Sequence, residues 1–176
     1  MADAVANLLA QARHARFENP ADARQSLVEA VALARKAKDR LQLAQALTAL
    51  GQIERDLHHA DEALRHYEEA VALYRTADAP LKLAHTVRHL GDIHQDQEQL
   101  KLAEPCYDEA LAIYRAHKET PPLDLANAIR GLALLKGDVG ETQQARALWE
   151  EARELYASVN VEAGVQESER RLALLA

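Results

Sequence analysis

Cysteine is almost missing from this sequence. Cys106 stands alone, so no disulfide can form within the chain, as expected of a reducing compartment. Aromatic residues make up only 4% of it, and Val and Ile never alternate with polar residues over a long run, which removes the pattern of half-buried strands. Gly-rich and Ser-rich linkers are absent too, and 176 residues suffice for one sizeable core, so a single domain over 1–176 is expected. No apolar run approaches the roughly 18 residues of a transmembrane span. Residues 1–6 lack the basic and apolar regions of a signal peptide, so a cytoplasmic location is expected and a membrane is not. Cations are in deficit, 21 Lys and Arg against 28 Asp and Glu for a net charge of −7. That balance argues against a whole-molecule nucleic-acid binder, which needs clustered cations to displace counterions from phosphates, and leaves only a local basic patch as a route.

What is abundant is Ala, Leu, Glu, Gln, Arg and Lys, the strongest helix formers, and the expected class is all-α. Within that composition one block returns in register. It reads Leu47, Leu50, Gly51, Ala63, Tyr67, Ala70, then Val87, Leu90, Gly91, Ala103, Tyr107, Ala110, then Ile129, Leu132, Ala133, Ala145, Trp149, Ala152. The internal steps are three, one, twelve, four and three residues in every copy. A fixed internal spacing at a returning period marks stacked supersecondary units.

Each block divides into two amphipathic helices. Leu43, Leu47, Leu50, Ile53 and Leu57 recur at three- and four-residue steps, as do Ala63, Tyr67, Ala70, Val71 and Tyr74. The helix pairs are expected at 41–57 with a helix from Ala63, at 81–97 with 100–117, and at 123–137 with 142–158. Pro80, Pro121 and Pro122 fall between units, where a helix cannot continue. Gly137 and Gly140 are expected to bracket the third internal turn, and Asn19 with Pro20 reads as an N-cap followed by proline at the first helical position. Pro105 is placed in the opening turns of its helix. Upstream, Ala23, Leu27 and Ala30 match the second-helix positions, but Asn7, Ala10 and Gln11 replace the first-helix trio, as in a degenerate terminal unit. At the other end Val165, Leu172 and Leu175 share one face, with Glu162, Gln166, Glu167, Arg170 and Arg171 around it, which reads as one capping helix. The units are therefore about 1–40, 41–80, 81–122 and 123–160, with a cap at 161–175 and nine helices in all.

These spacings resemble the tetratricopeptide repeat (TPR), whose pattern runs from a bulky residue through Leu-Gly and Ala to an aromatic and Ala. Gly51, Ala63, Tyr67 and Ala70 match it, as do Gly91, Ala103, Tyr107 and Ala110; Ala133 departs by replacing glycine. The period of 40 to 42 residues, Leu47 to Val87 to Ile129, is similar to the longer variety of kinesin-light-chain-like and bacterial regulatory members. The resemblance implies a right-handed superhelical solenoid of helix–turn–helix units, with no enzymatic activity and no cofactor. Gly51 and Gly91 would let helices approach closely, while Tyr67, Tyr107 and Trp149 fill larger spaces.

The resemblance also implies that first helices line a concave surface. Its groove positions fall on Gln45, Thr48, Gln52 and Arg55, then His85, Arg88, His89 and Asp92, then Asn127, Arg130 and Leu134. Arg88 and Arg130 occupy equivalent positions and, with Asn127, could grip a carboxylate by forked hydrogen bonds. The expected function is a protein–protein interaction scaffold holding a peptide or partner segment there, an acidic or carboxylate-bearing one being a candidate. The set departs from that of chaperone-binding members, because Thr48 and Asn127 stand where lysines would be. The alternatives are a ligand-sensing regulatory module of a bacterial signalling system, and a weakly self-associating unit using apolar Val5, Leu8 and Leu9.

Other groups carry blander readings. His85, His89, Asp92 and Asp96 share a helical face and could be considered for a metal, but Arg88 repels a cation there and a groove-lining polar cluster is favoured. His58 and His59 read as a solvated turn, Cys106 as a structural thiol. The acidic pairs Glu68 with Glu69 and Glu150 with Glu151 read as solvated helix surface.

Overall fold

This computed structural model describes residues 2–175, and among them are nine helices and no strand. They are α1 (Ala2–Ala15), α2 (Pro20–Ala37), α3 (Arg40–Asp56), α4 (Ala60–Arg75), α5 (Pro80–Asp96), α6 (Leu100–Ala116), α7 (Pro122–Asp138), α8 (Thr142–Ser158) and α9 (Glu162–Leu174). The expected helix pairs are all present. Asn19 caps α2 through its side-chain oxygen, with Pro20 opening the helix, and Asp39 caps α3 by accepting from the Gln42 amide at 3.0 Å. The chain forms two compact units, Met1–Thr86 and Val87–Ala176, with the boundary inside α5.

In the first unit α1 packs on α2, α2 on α3, α3 on α4, and α1 also reaches α3. That last contact is what stacking of helix pairs requires. Val5, Ala30, Ala34, Leu43, Leu47, Ala70 and Tyr74 share one core, and Leu8 and Leu9 pack against it. Of the three residues considered for self-association, Val5 is fully buried in this core and Leu8 and Leu9 are half-buried. The Tyr67 ring lies over Gly51, where an added Cβ would stand 3.0 Å from it. Close approach of the two helices thus runs through an aromatic ring seated on a bare backbone.

In the second unit α6 packs on α7, α7 on α8 and α8 on α9. Tyr107 is seated twice, since a Cβ at Gly91 would come within 3.0 Å of its ring and one at Gly131 within 2.4 Å. Tyr156 sits in the same way against Gly164 of α9, where a Cβ would come within 2.4 Å. Trp149 is fully inside, 2% exposed. Pro105 lies within α6, in its second turn.

The turns inside the helix pairs are one motif used three times. His58, Glu98 and Gly140 take left-handed backbone at φ 63°, 60° and 81°. The following amide in each case bonds back to the carbonyl five residues earlier: His59 to Glu54, Gln99 to His94 and Glu141 to Lys136, all at 2.8 Å. Gly140 is thus the turn glycine, whereas Gly137 lies inside α7.

Side chains close the same turns. Glu54 is completely buried; its carboxylate takes Arg24 Nε at 2.8 Å and lies 2.7 Å from His59 Nδ1. The turn is solvated as expected, both histidines being exposed, and His59 adds a clasp on a buried carboxylate. Lys136, at the equivalent position, carries the opposite charge and donates to Glu104 at 2.5 Å and Glu141 at 3.0 Å. Those two carboxylates hold its ammonium above its ordinary pKa. The acidic pairs on second helices are not merely solvated either. Arg35 reaches Glu69 at 2.6 Å, and Arg115 reaches Glu151 at 2.8 Å, in each case linking one second helix to the next.

Candidate functional site

The first-helix positions of the first unit form a mild polar face. Gln45, Thr48, Gln52 and Arg55 on α3 are all half-buried. Thr48 donates back to the Ala44 carbonyl at 2.9 Å and lies 3.2 Å from the Thr86 hydroxyl. Gln52 donates to Asp56 at 3.1 Å, and Asp56 also receives Arg16, in the turn after α1, through two bonds of 2.6 and 3.1 Å. His85 and Arg55 are likewise half-buried and engaged.

The second unit holds a denser arrangement. Asp92 on α5 is its hub: Oδ2 accepts Arg88 Nη1 at 2.6 Å, Oδ1 lies 3.0 Å from the Tyr107 hydroxyl, and His89 Nδ1 stands 3.3 Å from Oδ2. Arg88 Nη2 donates to His89 Nε2 at 2.8 Å, which assigns the ring proton to Nδ1. The Tyr107 hydroxyl also lies 2.8 Å from Gln95 Oε1. On α7, Asn127 Oδ1 accepts the Tyr156 hydroxyl at 2.8 Å. Arg130 donates through Nε and Nη2 to the two oxygens of Glu167 on α9, at 2.7 and 2.8 Å. Leu134 is half-buried beside them in sequence.

Arg88 and Arg130 are thus brought to one polar cluster, but neither is a bare cation. The forked geometry that the sequence assigned to an incoming carboxylate is filled on Arg130 by Glu167, and Arg88 is matched by Asp92. His85, His89, Asp92 and Asp96 do not converge as a metal site: the Arg88 guanidinium lies on His89, and Asp96 is exposed. Among the described residues no group of three His, Cys, Asp or Glu side chains is placed to hold a metal ion.

Electrostatics follow from this geometry. The hydrogen bond from Arg130 holds the Glu167 carboxyl below its ordinary pKa, and the same bond raises Arg130. Burial pushes the Tyr114 phenol well up, and Asp124 adds to the shift; burial also raises Tyr156. Tyr114 is 1% exposed, and its hydroxyl has no hydrogen-bond partner; neither has the buried Nε of Arg88.

Sequence reasoning missed Tyr114, Tyr156, Gln95 and Glu167 as parts of this cluster. A signal existed: Tyr74, Tyr114 and Tyr156 recur at the repeat period with their hydroxyl ends toward polar first-helix positions. Glu167 carried none beyond its place on the cap, because only packing brings α9 to α7.

The fold and site define a helical-repeat protein with a polar first-helix face. Residues 2–76 and 82–158 match the model of the Tetratricopeptide repeat family, and the chain belongs to that family. Proteins of this family generally mediate protein–protein interaction and are generally non-enzymatic scaffolds. Comparison of the sequence with curated proteins gives no match. Among solved structures, the chain is similar to BtubC (BKLC) from P. vanneervenii, with a TM-score of 0.78 at 20% identity, over 89% of this chain and 64% of that one. It is similar to aspartyl phosphate phosphatase F from Bacillus subtilis, with a TM-score of 0.86 at 14% identity, over 97% of this chain and 45% of that one. It also resembles nearly identical TPR-like repeats of a Podosopora anserina protein described as a kinesin light chain, with a TM-score of 0.71 at 16% identity, over 97% and 94% of the two chains. The chain thus spans less than two thirds of the first two structures. At these identities the likeness concerns the fold. Among the described residues no helix is long and apolar enough to cross a membrane.

Proposed function

We propose that this chain is a protein–protein interaction scaffold that receives a peptide or partner segment along its first-helix face. The supporting observation is a division of labour within the repeat. Positions such as Gly91, Tyr107 and Gly131 are consumed by packing, whereas the register positions Gln45 and Gln52 in the first unit, and Asn127 and Arg130 in the second, stay polar and half-open. No chemistry of the chain's own is needed for this role; recognition works by shape and hydrogen bonding.

Photo-cross-linking residues placed singly at Gln45, Gln52 and Asn127, and at Glu68, Asp108 and Glu150 on the second helices, test the reading in a lysate of the source cells. A shared partner that cross-links from the first set and not from the second supports it. Equal cross-linking from both sets, or from the second alone, overturns it.

A further inference from the structure

Glu167 stands where a groove residue stands. It lies six residues after Val161, the cap residue of α9, as Asn127 lies six after Pro121 on α7 and Gln45 six after Asp39 on α3. By the same count Arg170 repeats Arg130, nine residues beyond each cap. The capping helix therefore carries the first-helix register one row further, with Glu167 on it. The two oxygens of Glu167 fill the fork of Arg130 at 2.7 and 2.8 Å, the same pair of bonds that a carboxylate of a bound segment would make. The Arg130 side chain is nevertheless 40% exposed and that of Glu167 23%, so the fork is formed, outward and open to solvent.

This fork is built to change partner. Arg170 and Arg171 are exposed on α9, three and four residues after Glu167. Side chains at those spacings are neighbours on a helix surface, and a glutamate four residues ahead of its cation is the favourable order. Their charges already reach Glu167: after the bond from Arg130, they help to hold its carboxyl below its ordinary pKa. A displaced Glu167 thus finds cations on its own helix. Three guanidinium groups stand around this one carboxylate, and Asp92, whose field also reaches Arg130, is matched by Arg88. A second carboxylate therefore enters without an excess of its own sign. Nor does the cap depend on the fork alone. Tyr156 seats its ring on Gly164, Ser168 is fully buried, and Arg146 donates to the Leu175 carbonyl.

We propose that Glu167 is an internal surrogate ligand, which occupies the Arg130 fork until an Asp or Glu side chain of the partner segment displaces it onto Arg171 and Arg170. The proposal rests on the first-helix face as the binding face, and gives that face a ligand class and a built-in competitor. Arg130 keeps its position and its donors throughout; only the carboxylate is exchanged. Such competition lowers the apparent affinity in proportion to the fraction of chains whose fork is vacant.

A displayed library of random peptides, panned against the immobilised chain and against Glu167→Gln, tests this. The amide keeps the shape of the side chain and removes its charge. Near-ultraviolet circular dichroism and a melt establish that the variant keeps its fold. The expected result is enrichment, on the variant, of peptides with Asp or Glu at one position. The variant should bind them at least about tenfold more tightly than the wild type, as for a fork closed in about nine chains of ten. Adding Arg130→Gln to the variant, or replacing the acid of the peptide by Asn or Gln, should abolish that gain. Equal binding by wild type and Glu167→Gln overturns the surrogate and leaves the interaction face standing. A gain that survives the loss of Arg130 or of the peptide's acid does the same. Failure of both proteins to enrich any peptide overturns it too and, together with cross-linking from the second helices, removes the interaction face itself.

Discussion

Tyr107 shows how a single residue organises its unit. Its ring rests on Gly91 and Gly131, and its hydroxyl ends on Asp92 and Gln95, so one side chain ties the packing layer to the polar face. The two glycines are not equivalent. A methyl group at Gly91 meets the ring edge at 3.0 Å, a contact that a small ring shift can relieve, and alanine recovers about 1 kcal/mol of helix propensity. At Gly131 the same methyl would stand 2.4 Å from the ring, too close for a small shift to relieve. Gly131→Ala is therefore expected to destabilise by about 1–3 kcal/mol as an overpacking change, with Gly91→Ala within about 1 kcal/mol of wild type. Urea denaturation of the two variants side by side checks this, and equal midpoints would contradict the double seating of Tyr107. Gly91 was legible in the sequence because it repeats Gly51. Gly131 was not, because its counterparts in the other copies are Ala49 and His89 and no repeat logic points to it.

At the scale of the element, the pairs α3–α4, α5–α6 and α7–α8 are each closed by the same backbone turn with a polar clasp beside it. The backbone part is constant, whereas the side-chain part changes sign: Glu54 with Arg24 and His59 in one pair, Lys136 with Glu104 and Glu141 in another. A clasp of fixed sign would let any helix pair satisfy any other, so a clasp whose charge differs between pairs favours one stacking order. Lys136→Glu places three carboxylates together and is expected to cost about 2 kcal/mol, below the range for fully buried pairs because Glu104 and Glu141 are open to solvent. The compensating triple change with Glu104→Lys and Glu141→Lys should recover most of that loss in a thermal melt. No recovery would mean that Lys136 acts through packing of its stem alone. The clasp was hidden in the sequence, since His58 and His59 look like any polar turn. Burial of Glu54 is what gives His59 a task.

For the whole chain, acidification removes two contributions at different pH. Burial holds His66 below its ordinary pKa, so the unfolded chain binds the proton more readily, and stability falls as pH drops below about 6.5. Glu167 is also held low, chiefly by its bond from Arg130. Its contribution is complete above its ordinary value near 4.5 and is lost as pH falls through the lower folded value. Chemical denaturation across pH 7 to 3 should therefore show His66→Gln converging on or exceeding wild type below about 6, and Glu167→Gln converging only below about 4. If Glu167→Gln differs from wild type by a constant amount down to the lowest pH, the carboxylate does not hold α9 through its charge.

What the sequence determined by itself was the helical class, the helix boundaries to within a few residues and the repeat logic, because these depend on local propensity and on periodic burial. Its spacing also placed Arg88, Asp92, Asn127 and Arg130 on the first-helix positions. Only the tertiary structure decided what those side chains face. Arg130 meets Glu167 across 37 residues, Asp92 gathers Arg88 and Tyr107, and Tyr114 keeps its hydroxyl unmatched. The physical reason is that hydrogen bonds and ion pairs act over a few ångströms between elements distant in sequence. A pattern read along one helix shows which residues reach the face, but the neighbouring helices determine whether their charges remain available.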